Sequence, residues 1–166
     1  TGIVGRYSSV EEMVQMMDEA GVDKTVLHAW QHPFWNVKVP NEWNAEQIKQ
    51  RPDRLVGLGS VYELGGKKAV DELEEIHSLG LLGIKLAIFQ SGTLPYDERI
   101  WPLYEKCIDL DLAVFIHVGW SGTLVIGDKG YGDWHIQRVH HLDRVAVQFP
   151  KLKLVAVHAG ISEWKT

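Results

Sequence analysis

The sequence predicts an α/β fold of parallel strands joined by helices, and three observations predict it. Apolar, β-branched runs of strand length recur about every 30 residues, the span of a strand, a helix and two turns. The segments between them carry helical periodicity with start and stop signals. Within the runs, the few polar residues gather toward the C-terminal end, where parallel sheets place their sites.

Each element has its own signals. In "SSVEEMVQMMDEAG", Ser9 and Glu12 have the spacing of a capping box, Met13, Met16, Met17 and Ala20 make an apolar stripe, and Gly21 stops the helix. "KTVLHAW" (24–30) is the first strand, buried on both faces by its apolar character. The loop behind it, "HAWQHPFWNVKVPNEW", carries His28, Trp30, His32, Phe34 and Trp35 and offers an aromatic wall to a flat substrate. "RLVGLGSV" (54–61) is the second strand, and Gly65 and Gly66 precede a helix with Ala69, Val70, Leu73 and Ile76 on one face, ended by Gly80. "GIKLAIF" (83–89) is the third strand; Asp97 caps the helix after it, and Pro102 delays or kinks the start. "LAVFIHVG" (112–119) is the fourth. The glycine-rich "GWSGTLVIGDKGYGDW" behind it suits a mobile lid, or an ordinary surface excursion. A helix from about His135 to Gln148 ends before Phe149-Pro150, and "LKLVAVHAG" (152–160) is the fifth strand.

Composition narrows the function classes. At 166 residues and 45% hydrophobic content, residues 1–166 form a single domain able to bury one sizeable core. The net charge of −5 comes from 22 acidic and 17 basic residues without a basic stripe, so nucleic acid is not an expected partner. A lone cysteine, Cys107, allows no internal disulfide and fits a reducing, cytoplasmic setting. No signal peptide and no apolar run near 18 residues is legible, so no membrane is expected either. Of the seven tryptophans, Trp30, Trp35, Trp43, Trp120 and Trp134 fall in loop-like stretches, where they line a pocket better than they fill a core.

Two architectures accommodate the alternation, an open doubly wound sheet and a (β/α)8 barrel of the TIM type. Five strands suit a flavodoxin-like sheet by length, but no strand is followed by G-x-G-x-x-G and "ELGGKKAV" is not a P-loop, so nucleotide binding has no support. In either fold His28, Lys85, His117 and His158 sit at the site-bearing ends of their strands. A single strand histidine is more often a hydrogen-bonded core residue. Two at matching depth, His117 and His158, argue for a shared ligand, because each unsatisfied buried polar group costs about 1–3 kcal/mol. Lys85, between Ile84 and Leu86, is costly to bury unpaired unless it snorkels or meets a carboxylate.

The stretches "RPDRLVGLGSV", "GIKL", "VFIHVG" and "FPKLKLVAVHAG", with "SSVEEMVQMMDEAGVDKTVL" before them, resemble the amidohydrolase-2 branch of the amidohydrolase superfamily, which contains the aminocarboxymuconate-semialdehyde decarboxylase-like enzymes. The resemblance implies a distorted (β/α)8 barrel with one divalent metal, usually zinc, at its C-terminal face. It implies a His-x-His pair on the first strand, a histidine ligand on the fifth, an acid/base histidine on the sixth and an aspartate on the eighth. His117 then becomes the metal ligand, and His158 the catalytic histidine and a possible second ligand. Lys85 is assigned to the same site. His28, Trp30, His32, Trp35 and Trp120 become the substrate pocket. No His-x-His occurs in the sequence and no strand follows His158, so the chain corresponds to strands two to six of eight. A complete barrel needs ~250 residues.

The implied chemistry is hydrolysis of an amide or lactone, or nonoxidative decarboxylation of a small carboxylic acid. The expected partners are a small-molecule substrate and further copies of the chain in a homo-oligomer. A flavodoxin-like module without metal and a noncatalytic barrel relative stand as alternatives, separated from the enzyme by strand order and metal content. His77, His135, His140 and His141 are expected to face solvent.

Overall fold

A computed structural model describes residues 9–32, 37–119 and 137–159, with His32 and Val37 as backbone only. The first helix, α1 (Val10–Glu19), forms as its sequence directs. Ser9 accepts from the backbone of Glu12, whose carboxylate accepts in turn from Ser9 N–H, and Gly21 leaves the helix at φ +67°. Its buried stripe is Val10, Val14 and Met17, packed on Leu55 with Leu27 and Met13 beside them. Met16 is 62% exposed and Ala20 faces solvent, so the apolar stripe is one step out of phase with the expected one. Val10 begins the i, i+4, i+7 series that the methionines obscure.

Strand β1 (Thr25–His28) leads into an antiparallel hairpin, β2 (Trp30–His32) with β3 (Val37–Val39), and then α2 (Asn41–Gln50). Neither the hairpin nor α2 is evident in the sequence pattern. The hairpin strands are three residues each, and α2 buries two polar residues, Asn41 and Asn44, with Ala45 instead of an apolar stripe. Those amides are structural. Asn44 donates to the Leu58 carbonyl at 2.9 Å and the Leu27 carbonyl at 3.3 Å, and Asn41 accepts from Ser60 N–H at 2.8 Å, tying the exits of two strands to one helix.

The remaining strands are β4 (Leu55–Leu58), β5 (Gly83–Leu86), β6 (Ala113–His117) and β7 (Leu154–Val157). β1 pairs with β4, and β5 with β6 and β6 with β7, all parallel. A bridge from Gly59 to Ile84 closes the gap between β4 and β5, with Gly59 N–H on Gly83 O at 2.8 Å and Lys85 N–H on Gly59 O at 2.9 Å. The order is therefore β1-β4-β5-β6-β7, following the chain. A doubly wound sheet would reverse its order at a switch point, whereas a barrel proceeds sequentially. The described residues form a parallel α/β arc of barrel type, not a flavodoxin-like sheet.

Helices α3 (Lys67–Ser78), α4 (Trp101–Asp109) and α5 (His141–Gln148) cover one face of the arc. Ile84, Leu86, Val114 and Ile116 point at them with 0% exposure, against Leu73, Ile76, Leu103 and Tyr104. Gly59 is required on this face, since a Cβ there would lie 2.7 Å from the Ile76 side chain. A single 3₁₀ turn, Glu98–Ile100, capped by Asp97, precedes α4, so Pro102 falls within the first helical turn, where its missing N–H is harmless. α5 begins at His141, not near His135, behind a turn at residues 139–140. On the opposite face stand Val26, Lys85, Phe115, His117 and Val155, with Val26 46% and Val155 37% exposed. No helix among the described residues is long and apolar enough to cross a membrane.

Candidate active site

Parallel register decides which side chains meet. Lys85 pairs with Phe115, and His117, two residues on, pairs with Val157, which puts Lys85 and His117 on the face away from the helices. His117 is the last residue of β6, and His158 follows the last residue of β7. Their ring centroids lie 4.7 Å apart at 55°. Phe89 packs on the other side of His117 at 4.4 Å. His158 holds φ +66°, a left-handed conformation that costs a non-glycine residue about 1 kcal/mol or more. Gly119, at φ +81°, belongs to the same crossing, because a Cβ there would lie 2.3 Å from the His158 carbonyl oxygen. A glycine two residues after His117 is thus needed for the β6 exit to pass beneath His158.

The electrostatics follow from burial. Lys85 is 6% exposed, has no carboxylate within ion-pair distance among the described residues, and makes only a long 3.5 Å contact to the Leu86 carbonyl. Burial pushes its ammonium down to about 8. His117 is 9% exposed and is pushed down to about 3, first by burial and then by the Lys85 charge and His158. His158 is lowered by burial, Lys85 and His28 in that order. These four groups, on β1, β5 and β6 and just past β7, therefore share one field at one end of the arc. The imidazole of His28 donates from Nδ1 to the Ala29 carbonyl at 3.0 Å in the tautomer that leaves Nε2 open.

Nε2 of His117 is buried without a hydrogen-bond partner among the described residues. A neutral imidazole with an orphaned nitrogen is the state a metal ligand must have, so His117 fits one ligand position. Among the described residues no group of three or more His, Cys, Asp or Glu is arranged to hold a metal ion, so the rest of a donor set is not among them.

Trp30 lines a small pocket with Lys85, Ser60, Gln31 and Glu63, and its ring lies 5.8 Å from that of His28. Gln31 fastens this corner by donating to the hydroxyl and the carbonyl of Ser60 at 3.2 and 3.0 Å. Of the other expected pocket residues, His32 is described as backbone only, and Trp35 and Trp120, with His135 and the rest of the glycine-rich segment after Gly119, lie outside the described residues. His77 and His140 face solvent as expected, whereas His141 is half-buried with its ring 5.5 Å from Tyr96. Glu63 escaped notice in the sequence. It is 6% exposed, and its position just past the β4 exit obeys the same rule that singles out His28.

Residues 11–166 match a family profile described as amidohydrolase. Over 78 residues the chain is 35% identical to 2-amino-3-carboxymuconate-6-semialdehyde decarboxylase of Dictyostelium discoideum, covering 46% of this chain and 22% of that protein. Among solved structures, a TIM-barrel protein of Bordetella bronchiseptica aligns at 28% identity and TM-score 0.71, over 89% of this chain and 50% of that one. The 5-carboxyvanillate decarboxylase of Novosphingobium aromaticivorans, solved with bound manganese and a nitrobenzoic acid, aligns at 21% identity and TM-score 0.65, over 87% of this chain and 48% of that one. The chain spans about half the length of these solved structures.

Proposed function

The chain belongs to the amidohydrolase family, and from that premise we propose that it carries acid–base and carboxylate-holding groups of a metal-dependent enzyme that decarboxylates a small carboxylic acid without an oxidant. The observation that carries the reading is the convergence of His117, His158 and the Lys85 ammonium, which has no carboxylate partner among the described residues, toward the C-terminal ends of three neighbouring strands. A divalent metal held through His117 would polarise a substrate oxygen; imidazole suits zinc, and manganese is the ion in the solved decarboxylase.

The chain's own groups supply the rest. Lys85 holds the substrate's carboxylate oxygens, an anion that offsets the cost of its own buried charge. When the C–CO2 bond breaks, carbon dioxide leaves and the electron pair stays on carbon. His158, having taken up a proton from solvent, delivers it to fill that position, and Trp30 gives a flat substrate a wall. The 35% identical decarboxylase relative favours this reaction over hydrolysis. The family description supports a second reading, in which His158 takes a proton from water and returns it to the leaving group of an amide or lactone.

The test uses the whole protein loaded with zinc or manganese and a panel of aromatic and enoic acids labelled with 13C at the carboxylate. Release of labelled carbon dioxide is the expected result. Turnover of amides or lactones without it would favour hydrolysis, and a metal-loaded protein inert to both panels would contradict both readings.

A further inference from the structure

Around Glu63 the hydrogens can be counted. The hydroxyl of Ser91 touches three oxygens: Glu63 Oε1 at very short range, the Ile88 carbonyl at 2.9 Å and the Thr93 hydroxyl at 2.6 Å. Ser91 has one hydrogen to give and the Ile88 carbonyl can only accept, so an ionised Glu63, also only an acceptor, would leave one of these contacts without a hydrogen. If Glu63 is protonated, every contact is served. Glu63 donates to Ser91, Thr93 donates to Ser91, and Ser91 donates to Ile88. Glu63 is 6% exposed with no cation within ion-pair distance among the described residues, and an unpaired buried carboxylate is far costlier than a buried acid. Burial raises its carboxyl above the usual range, with Ser91 and the Glu63 backbone N–H opposing.

Glu63 lines the same pocket as Lys85. We propose that Glu63 is carried as a carboxylic acid donating to Ser91, and that by staying neutral it leaves the Lys85 ammonium available to a substrate carboxylate. Glu63 is thus a positioning residue acting through charge. An ionised Glu63 would set a negative charge in the wall of the pocket that Lys85 also lines, and a neutral one keeps that lining net positive. The titratable groups facing it are Lys85 across the pocket, its neighbour Tyr62, and Tyr104 on α4. Tyr62 and Tyr104 are both raised, chiefly by burial, and so stay neutral, with Arg99 opposing at Tyr62 and Cys107 adding at Tyr104. The inference deepens the decarboxylation reading through the role given to Lys85, but its readouts need no turnover.

Acetate is the probe, titrated into the metal-loaded whole protein across pH, alongside isotope-edited infrared spectra of Glu-labelled protein. Wild type is expected to show a protonated-carboxyl band that Glu63→Gln lacks. The two proteins should bind acetate within about twofold of each other at neutral pH, since the amide keeps the donor to Ser91 without the charge. On raising pH, wild type should lose affinity before Glu63→Gln, whose limb moves up to the deprotonation of Lys85. Lys85→Met should weaken acetate by roughly tenfold or more, the worth of one partly desolvated ion pair; acetate held by the metal alone would be insensitive to it. Three results would overturn the proposal: no protonated-carboxyl band, acetate binding tenfold tighter in Glu63→Gln at neutral pH, or full affinity in Lys85→Met. A protein that binds acetate as described and releases no carbon dioxide would keep this inference and refute the decarboxylase reading.

Discussion

His117 and His158 are neighbours held by opposite means. His117 is packed inside the arc, where burial and the Lys85 charge keep it neutral. Its folded value of about 3 lies below the ordinary 6.5, so the unfolded chain binds a proton that the folded one refuses between those values. The stability contribution of His117 is therefore present above about 6.5 and lost as pH falls toward about 3. In metal-free protein, His117→Phe should lose less stability than wild type when denaturation is followed from pH 7 down to about 4; equal losses would mean His117 is not buried as neutral. His158 is exposed and bent into the left-handed region. His158→Gly should raise stability by about 1 kcal/mol by relieving that conformation, while lowering turnover by ~10²-fold or more as the acid/base group goes. Thermal melting and rate measurements on the same variant check both halves.

The strands were legible in the sequence because each is a short apolar run with a turn at each end, and the five expected runs contain β1, β4, β5, β6 and β7. His117 and His158 were legible as candidates for the same reason, as polar groups closing such runs. What escaped was held by polar contacts. α2 binds to the sheet through Asn41 and Asn44, which hydropathy scores as surface, and the β2–β3 hairpin leans on Ser60 through Gln31. Asn44→Ala removes both bonds to the exits of β1 and β4 and leaves the Leu58 carbonyl with the Ala29 N–H as its remaining donor. It should cost about 1–3 kcal/mol. Chemical denaturation measures this, and a loss within error of zero would show that water replaces the amide.

Half of the arc's surface is finished and half is open. The helix-covered face is a close-packed core, whereas the opposite face shows Val26 and Val155 to solvent beside Phe115. Exposed apolar residues on a parallel sheet, with strand edges that are unpaired among the described residues beside them, favour association. A polypeptide of residues 1–166 alone should therefore self-associate as its concentration rises, and Val26→Lys with Val155→Lys should weaken this; sedimentation showing a monodisperse monomer at all concentrations would contradict it.

The proposed division of labour gives metal holding to His117 and proton transfer to His158, whose rings touch. Metal content and rate, measured together on the whole protein for His117→Ala and His158→Asn, test it most directly. The expected result is that His117→Ala loses both bound metal and turnover, while His158→Asn keeps its metal and loses ~10²- to 10⁴-fold in rate. A His117→Ala protein that retains stoichiometric metal and wild-type turnover would contradict it.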